Sequence, residues 1–232
     1  MRPEVIAHRG ASREAPENSL RAFARAAELG ANAIELDLHL TTDGVLVVHH
    51  DPLIHSAAGE VPINQRSSAE LAGILVRDEP VPRFADVLTL AAERGLTVYA
   101  EAKGRGTGAA AARLLAHAAA NGSVSGAVHS FDHREVASAG RAQPTVPRGV
   151  LEVAYHVEPA GALRDVGARD LWQQAQMIDR ALVDATHAAG GRVIAWTANA
   201  PELIRHLIAL GVDGICTDDV ALARTIVDSA AA

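Results

Sequence analysis

Residues Ala33–Asp51 read AIELDLHLTTDGVLVVHHD. Along a strand, residues two apart share a face. Glu35 and Asp37 therefore point one way, and Ile34, Leu36 and Leu38 point the other. A polar turn (Thr41, Thr42, Asp43, Gly44) follows, then an apolar run that ends in His49, His50 and Asp51. Two acids on one face, backed by apolar residues, suit a hard divalent cation held by oxygen ligands. A solvated edge strand would show the same alternation, so the rest of the chain must decide.

Outward from this stretch, strand and helix signals alternate. Val5–Ala7 opens into His8-Arg9-Gly10, and Leu20, Phe23, Ala24 and Ala27 recur at helical spacing behind Asn18 or Ser19 as N-cap. Further strands are expected at Leu96–Ala100, Gly126–Ser130, Gly149–Val153, Arg169–Trp172, Arg192–Thr197 and Gly214–Thr217. Helices are expected at Phe84–Arg94, Thr107–Ala120, Ile178–Ala189, Pro201–Leu210 and Val220–Val227. A weak helix is expected around Ser67–Leu75, inside an irregular stretch rich in Gly and Pro.

About eight β/α units in 232 residues predict a (β/α)8 TIM barrel. It is read as a single domain over residues 1–232, with a short insertion at about 52–82, after the second strand unit. A doubly wound open sheet is the structural alternative. No G-x-G-x-x-G follows a strand, which argues against dinucleotide binding.

Bulk properties narrow the class further. A net charge of -7, with 21 basic against 28 acidic residues, excludes a basic nucleic-acid footprint. The one cysteine, Cys216, permits no intrachain disulfide and fits a reducing compartment. MRPEVIAHRG contains no apolar segment of signal-peptide length, and no apolar run is long enough to span a membrane. The expected location is cytoplasmic, without stable membrane association. The sequence assigns no oligomeric state.

In a TIM barrel the active site is built from the C-terminal ends of the strands. Those ends carry His8 and Arg9, Glu35 and Asp37, His50, Glu101 and Lys103, Ser130-Phe131, Trp196-Thr197 and Thr217-Asp218. Each alone has a bland structural reading. Glu35, Asp37 and Glu101 with His8, His50, Arg9 and Lys103 would bring three carboxylates, two imidazoles and two cations to one mouth. Clustered acids raise one another's pKa, a conflict that a bound Mg²⁺ or Ca²⁺ removes. Arg9 and Lys103 beside that cation point to an anionic ligand, most naturally a phosphate.

These motifs resemble the glycerophosphodiester phosphodiesterase (GDPD) family over nearly the full length and in order. His8-Arg9-Gly10 resembles its HRG, Pro16-Glu17-Asn18-Ser19 its PENT with Ser for Thr, and Glu35-x-Asp37 its acid pair. His50-Asp51 resembles its HD, Glu101-x-Lys103 its ExK, Trp196-Thr197 its WT, and Gly211 through Asp218 its GVDGI-TD ending. The resemblance implies a metal-dependent hydrolase of lipid and glycerol metabolism that converts glycerophosphodiesters to sn-glycerol 3-phosphate and an alcohol.

It further implies that Glu35, Asp37 and Glu101 ligate Mg²⁺ or Ca²⁺, and that His8 and His50 are the acid/base pair. Arg9 and Lys103 would hold the phosphate, with Phe131 and Trp196 lining the pocket. His49 faces away from His50 by alternation, and the motif favours His50. The substrate partner is a small-molecule glycerophosphodiester. Water attack and attack by the substrate's own hydroxyl both remain open, as does which histidine is the acid. Alternatives are a lysophospholipase D-like enzyme, a non-catalytic phosphoester-binding barrel, and an unrelated barrel isomerase or aldolase using Lys103 as a Schiff base. The insertion is shorter than the family's usual cap, which leaves the alcohol group unread.

Overall fold

Strand alternation builds a two-sided wall. The computed structural model describes residues 2–56, 59–122 and 124–230. Eight parallel strands form its centre: β1 (Glu4–Ala7), β2 (Ala33–Leu40), β3 (Thr97–Ala102), β4 (Gly126–Ser130), β5 (Arg148–Glu152), β6 (Asp170–Gln174), β7 (Arg192–Trp196) and β8 (Gly214–Thr217). β1 pairs in parallel with both β8 and β2, so the sheet closes on itself. The open-sheet alternative is thereby excluded, and the fold is a TIM barrel.

The outward faces, with Val5, Ile34, Leu36, Val98, Val128, Val150 and Ile215 among them, pack against the helices in one continuous core. The inward faces bury Ile6, Ala33, Tyr99, Ala127, Leu151, Trp172, Ile194 and Cys216 inside the barrel. This interior is packed rather than hollow, as expected for eight strands. Inward positions one step further along β2, β3 and β4 are Glu35, Glu101 and His129.

Among the described residues, eight helices surround the barrel: α1 (Leu20–Glu28), α2 (Phe84–Arg94), α3 (Thr107–Ala120), α4 (His133–Ala142), α5 (Gly161–Val166), α6 (Arg180–Ala188), α7 (Pro201–Leu210) and α8 (Val220–Ser229). Ser19, Asp132, Asp179 and Asp219 cap α1, α4, α6 and α8 with side-chain oxygens, satisfying donors that the helices leave unpaired. Several elements coincide with the sequence expectation, α2, α3, α7, β4 and β8 residue for residue.

Two helices, α4 and α5, are absent from that expectation. The buried face of α4 is only Glu135, Val136 and Ala139, too small and too polar to give an apolar period. Glu135 instead accepts from the amides of Gly106 (3.0 Å) and Gly108 (2.9 Å) at the start of α3, where a negative charge is favoured. α5 is six residues long, below the length that periodicity resolves.

After β2 the chain returns antiparallel as Leu46–Val48. It then makes a hairpin (Leu53–Ser56 with Gly59–Pro62), a single helical turn (Ser68–Leu71) and a short pairing of Leu75–Val76 with Glu79–Pro80. This excursion has its own small core of Val47, Ile54, Ile63 and Leu71. Asp43 ties it to the β2 turn, accepting from the Ser68 amide (2.9 Å) and hydroxyl (2.8 Å).

Candidate active site

Strand one ends in a turn that only certain residues can make. Arg9 and Gly10 both have positive φ (55° and 84°). A Cβ on Gly10 would lie 2.7 Å from backbone and side-chain atoms of Ala22, so glycine is required there. The turn points the Arg9 amide at Glu35 Oε2 (3.1 Å) and brings Arg9 Nε to Asp37 Oδ2 (3.2 Å). Nη1 of Arg9 also donates to Glu17 (3.1 Å). Asn18, left-handed at φ 57°, is buried against β2. Its Nδ2 donates to Asp37 Oδ2 (2.8 Å), and its Oδ1 accepts from the Asp37 amide (3.3 Å).

From β3, Lys103 places its ammonium 2.8 Å from Glu101 Oε1 and 3.2 Å from Asp37 Oδ1. Burial would raise the Asp37 pKa, but Lys103 and Arg9 outweigh it and hold the carboxyl below its ordinary range. Glu101 goes the other way: burial first, then the charge of Asp37, push it up to about 8, and Lys103 only partly opposes them. The two partners of Lys103 thus differ because Asp37 commands a second cation and Glu101 does not. Lys103 itself is held charged, since Asp37 and Glu101 outweigh its burial. A protonated, doubly paired lysine is a poor Schiff-base nucleophile, which disfavours the aldolase reading.

The mouth holds a cavity of about 100 Å³. His8, Arg9, Glu35, His50, Glu101, Lys103, Phe131 and Trp196 all line it, together with His129. Asp37 is 1% exposed and held by Asn18, Arg9 and Lys103. His49 lies in a different depression, with Asn18, Val48 and Pro82, as strand alternation requires. Phe131 and Trp196 meet edge to face at 5.3 Å, and the Trp196 indole donates to the Trp172 carbonyl (3.0 Å).

Each histidine of the pair has a carboxylate behind it. His8 Nδ1 lies 2.7 Å from Asp218 Oδ1, and His50 Nδ1 lies 2.8 Å from Asp51 Oδ1. The His50 carbonyl is fixed by His39 Nε2 (3.1 Å). Burial lowers the His8 pKa, but the bond to Asp218 and the charge of Glu35 outweigh it, for a net rise. Burial likewise works to raise Asp218, yet His8 brings it down to about 2. Asn199 steadies Asp218, donating from Nδ2 to Oδ2 at 2.6 Å.

Sequence reasoning gives Asn18 only an N-cap role, which Ser19 fills instead, and gives Asp218 and His129 none. Asn18 and Asp218 sit inside quoted motifs, and a question about what orients His8 and Asp37 would have raised them. His129 follows Ala127 by two on β4 and so faces inward, but a lone inward histidine carries no signal by itself.

The donor set fits a divalent cation. Glu35, Glu101 and His129 each offer one ligand atom, all within 4.8 Å of one another. His129 Nδ1, buried, has no hydrogen-bond partner. A larger depression of about 650 Å³ at the opposite end of the barrel includes Glu4, Tyr99 and Arg192 in its lining. Its charges already satisfy one another, with Tyr99 Oη donating to Glu4 (2.7 Å) and Arg192 Nη2 to Glu4 (3.0 Å). It reads as a polar plug at the barrel floor.

Residues 8–222 match the model of the glycerophosphoryl diester phosphodiesterase family. The chain is 32% identical over 231 residues to a glycerophosphodiester phosphodiesterase of Caldanaerobacter subterraneus subsp. tengcongensis, covering 94% of this chain and 95% of that one. It superposes with a TM-score of 0.87 on an Oleispira antarctica phosphodiesterase solved with the product sn-glycerol-3-phosphate, at 25% identity and 97% coverage of both chains. A glycerophosphodiester phosphodiesterase from Parabacteroides distasonis gives 0.85 at 27% identity, covering 100% of this chain and 99% of that one. With the barrel closed and the paired acids, histidines and cations at its mouth, the chain belongs to the glycerophosphoryl diester phosphodiesterase family.

Proposed function

We propose that the chain hydrolyses glycerophosphodiesters to sn-glycerol 3-phosphate and an alcohol, and that it does so in the cytoplasm as a single-domain enzyme. One observation carries this reading: His8, His50, Arg9, Lys103, Glu35 and Glu101 share one small cavity at the catalytic end of the barrel. Among the described residues, no helix is long and apolar enough to cross a membrane.

Arg9 and Lys103 bind the phosphodiester through its non-bridging oxygens and stabilise charge that grows there. Glu35, Asp37 and Glu101 hold a divalent cation, Mg²⁺ or Ca²⁺ on carboxylate donors alone. When bound, that cation supplies Lewis-acid neutralisation of the phosphate. Asp218 and Asp51 occupy Nδ1 of His8 and His50, which leaves Nε2 of each for the reaction. One Nε2 takes the proton of the attacking hydroxyl while the other delivers a proton to the leaving alcohol oxygen. Phe131 and Trp196 form an apolar wall for the substrate, and the aromatic pair keeps water off that side.

The test is release of glycerol 3-phosphate from a panel of glycerophosphodiesters, with a lysophospholipid in parallel and with Mg²⁺ and Ca²⁺ compared. Turnover of the small diesters that EDTA abolishes is expected. Preference for the lysophospholipid would move the assignment to the lysophospholipase D reading. Full activity in metal-free protein would remove the cation from the scheme.

A further inference from the structure

The cavity's lining contains a histidine that the scheme above does not use, His129. His129 is 1% exposed and comes from the inward face of β4. Its ring stacks on Trp172 with centroids 4.3 Å apart and planes 11° from parallel. Trp172 is itself pinned edge-on by Tyr99 at 5.1 Å. This packing fixes the plane of the imidazole and aims its edge at the acids. Nε2 lies 3.7 Å from Glu35 Oε1, beyond hydrogen-bond distance, and Nδ1 has no hydrogen-bond partner. A buried imidazole left so poorly satisfied costs free energy, and packing alone would be met by an apolar residue of similar size.

We propose that His129 is a nitrogen ligand of the divalent cation, beside Glu35 and Glu101, and that it shifts this chain's preference from Ca²⁺ toward first-row transition ions. The inference rests on the metal reading proposed above. Its geometric basis is that one atom from each of these three side chains lies within 4.8 Å of the others. Its chemical basis is ligand type. Ca²⁺ and Mg²⁺ take oxygen donors, whereas imidazole favours the later divalent ions, in the order Mn²⁺ below Co²⁺ below Ni²⁺. Held against Trp172, the ring needs no rotation to serve, so its ordering cost is already met by the fold.

The deciding experiment loads metal-stripped protein with Mn²⁺ and records electron spin echo modulation from directly bound ¹⁴N. Modulation is expected in the wild type, in His8→Ala and in His50→Ala, and is lost in His129→Gln. In competition binding, His129→Gln should weaken Co²⁺ by about ten-fold or more, on the scale by which perturbing a metal site lowers affinity, while Ca²⁺ binding changes little because glutamine offers an oxygen. Should His129→Gln fail to fold, the wild-type, His8→Ala and His50→Ala spectra still decide. Stoichiometric Mn²⁺ binding without nitrogen modulation overturns the inference and leaves the metal site standing. Absence of any Mn²⁺ binding overturns both.

Discussion

Asn18 and Asp37 bond to each other in both directions, side chain to carboxylate at 2.8 Å and amide to side chain at 3.3 Å. The contact places the loop after β1 in register with β2, and so sets Arg9 against Asp37. Replacing Asn18 with Ala removes a donor from a carboxylate that is almost wholly buried. We expect a loss of about 1–3 kcal/mol of stability, together with slower turnover because Arg9 loses its register. Asn18→Asp should be worse, since it sets a second negative charge against the first. Urea unfolding of both variants checks the order; equal stability of Asn18→Asp and wild type would contradict it.

Lys103 contacts two acids at once, Asp37 and Glu101. In Lys103→Met, Asp37 keeps Arg9 but Glu101 loses its only ion-pair partner among the described residues. Breaking a buried pair costs about 3–5 kcal/mol; the expected loss is smaller here, because the Glu101 carboxyl, pushed up to about 8, is mostly neutral near pH 7. If the acids hold a cation, part of this loss should be recovered on adding it, since a ligand that binds only the folded state stabilises it by mass action. Turnover should fall about 10²- to 10³-fold whatever the metal level, because a donor to the phosphate is gone. Thermal melts with and without divalent ions separate the two effects.

Asp218 raises the His8 pKa, so Asp218→Asn should lower the midpoint of the His8 imidazole in an NMR titration. The sign for stability follows from the two shifts. His8 has its folded pKa above the unfolded 6.5, so its contribution is complete below 6.5 and fades as pH rises through the folded value. Asp218 is lowered from 3.8 to about 2, so its contribution is present above 3.8 and is lost as pH falls toward 2. The stability difference between wild type and Asp218→Asn should therefore be largest between about pH 4 and 6.5. A difference that grew above pH 8 would contradict the pairing.

The sequence carried the fold because its strands are doubly marked, by apolar outward residues and by polar residues at their C-terminal ends. Helices α2, α3 and α7 were legible because Gly95, Asn121 and Gly211 stop them cleanly. α4 was not, since its inward residues are Val136, Ala139 and a glutamate that caps another helix. In the site, alternation alone put Glu35 with Asp37 and separated His49 from His50. It could not foresee that Asn18 would reach across from another loop to hold Asp37, a contact 19 residues away in sequence. His129 was hidden for a related reason: a lone histidine in an apolar strand becomes informative only once Trp172 and Glu35 are known to flank it.

His49 and His50 offer the sharpest test of the proposed acid/base pair, because they are adjacent and differ only in which way they face. His50 lines the cavity with Asp51 on its Nδ1, whereas His49 lies in the depression beside Asn18 and Pro82. Burial holds the His49 pKa below its ordinary value, so this ring is neutral near pH 7 and suited to packing. We expect His50→Ala to slow turnover by about 10²- to 10⁴-fold with little change in the unfolding midpoint. His49→Ala should do the reverse: turnover should stay within a few-fold of wild type, and stability should fall by about 1–3 kcal/mol as a partly buried ring is lost. His50→Gln separates position from proton transfer, since an amide fills the space and cannot take the proton; its rate should match that of His50→Ala. Steady-state kinetics on one glycerophosphodiester, paired with urea unfolding of the same three proteins, gives both readouts. Fast turnover by His50→Ala with a dead His49→Ala would show that the neighbouring imidazole carries the proton.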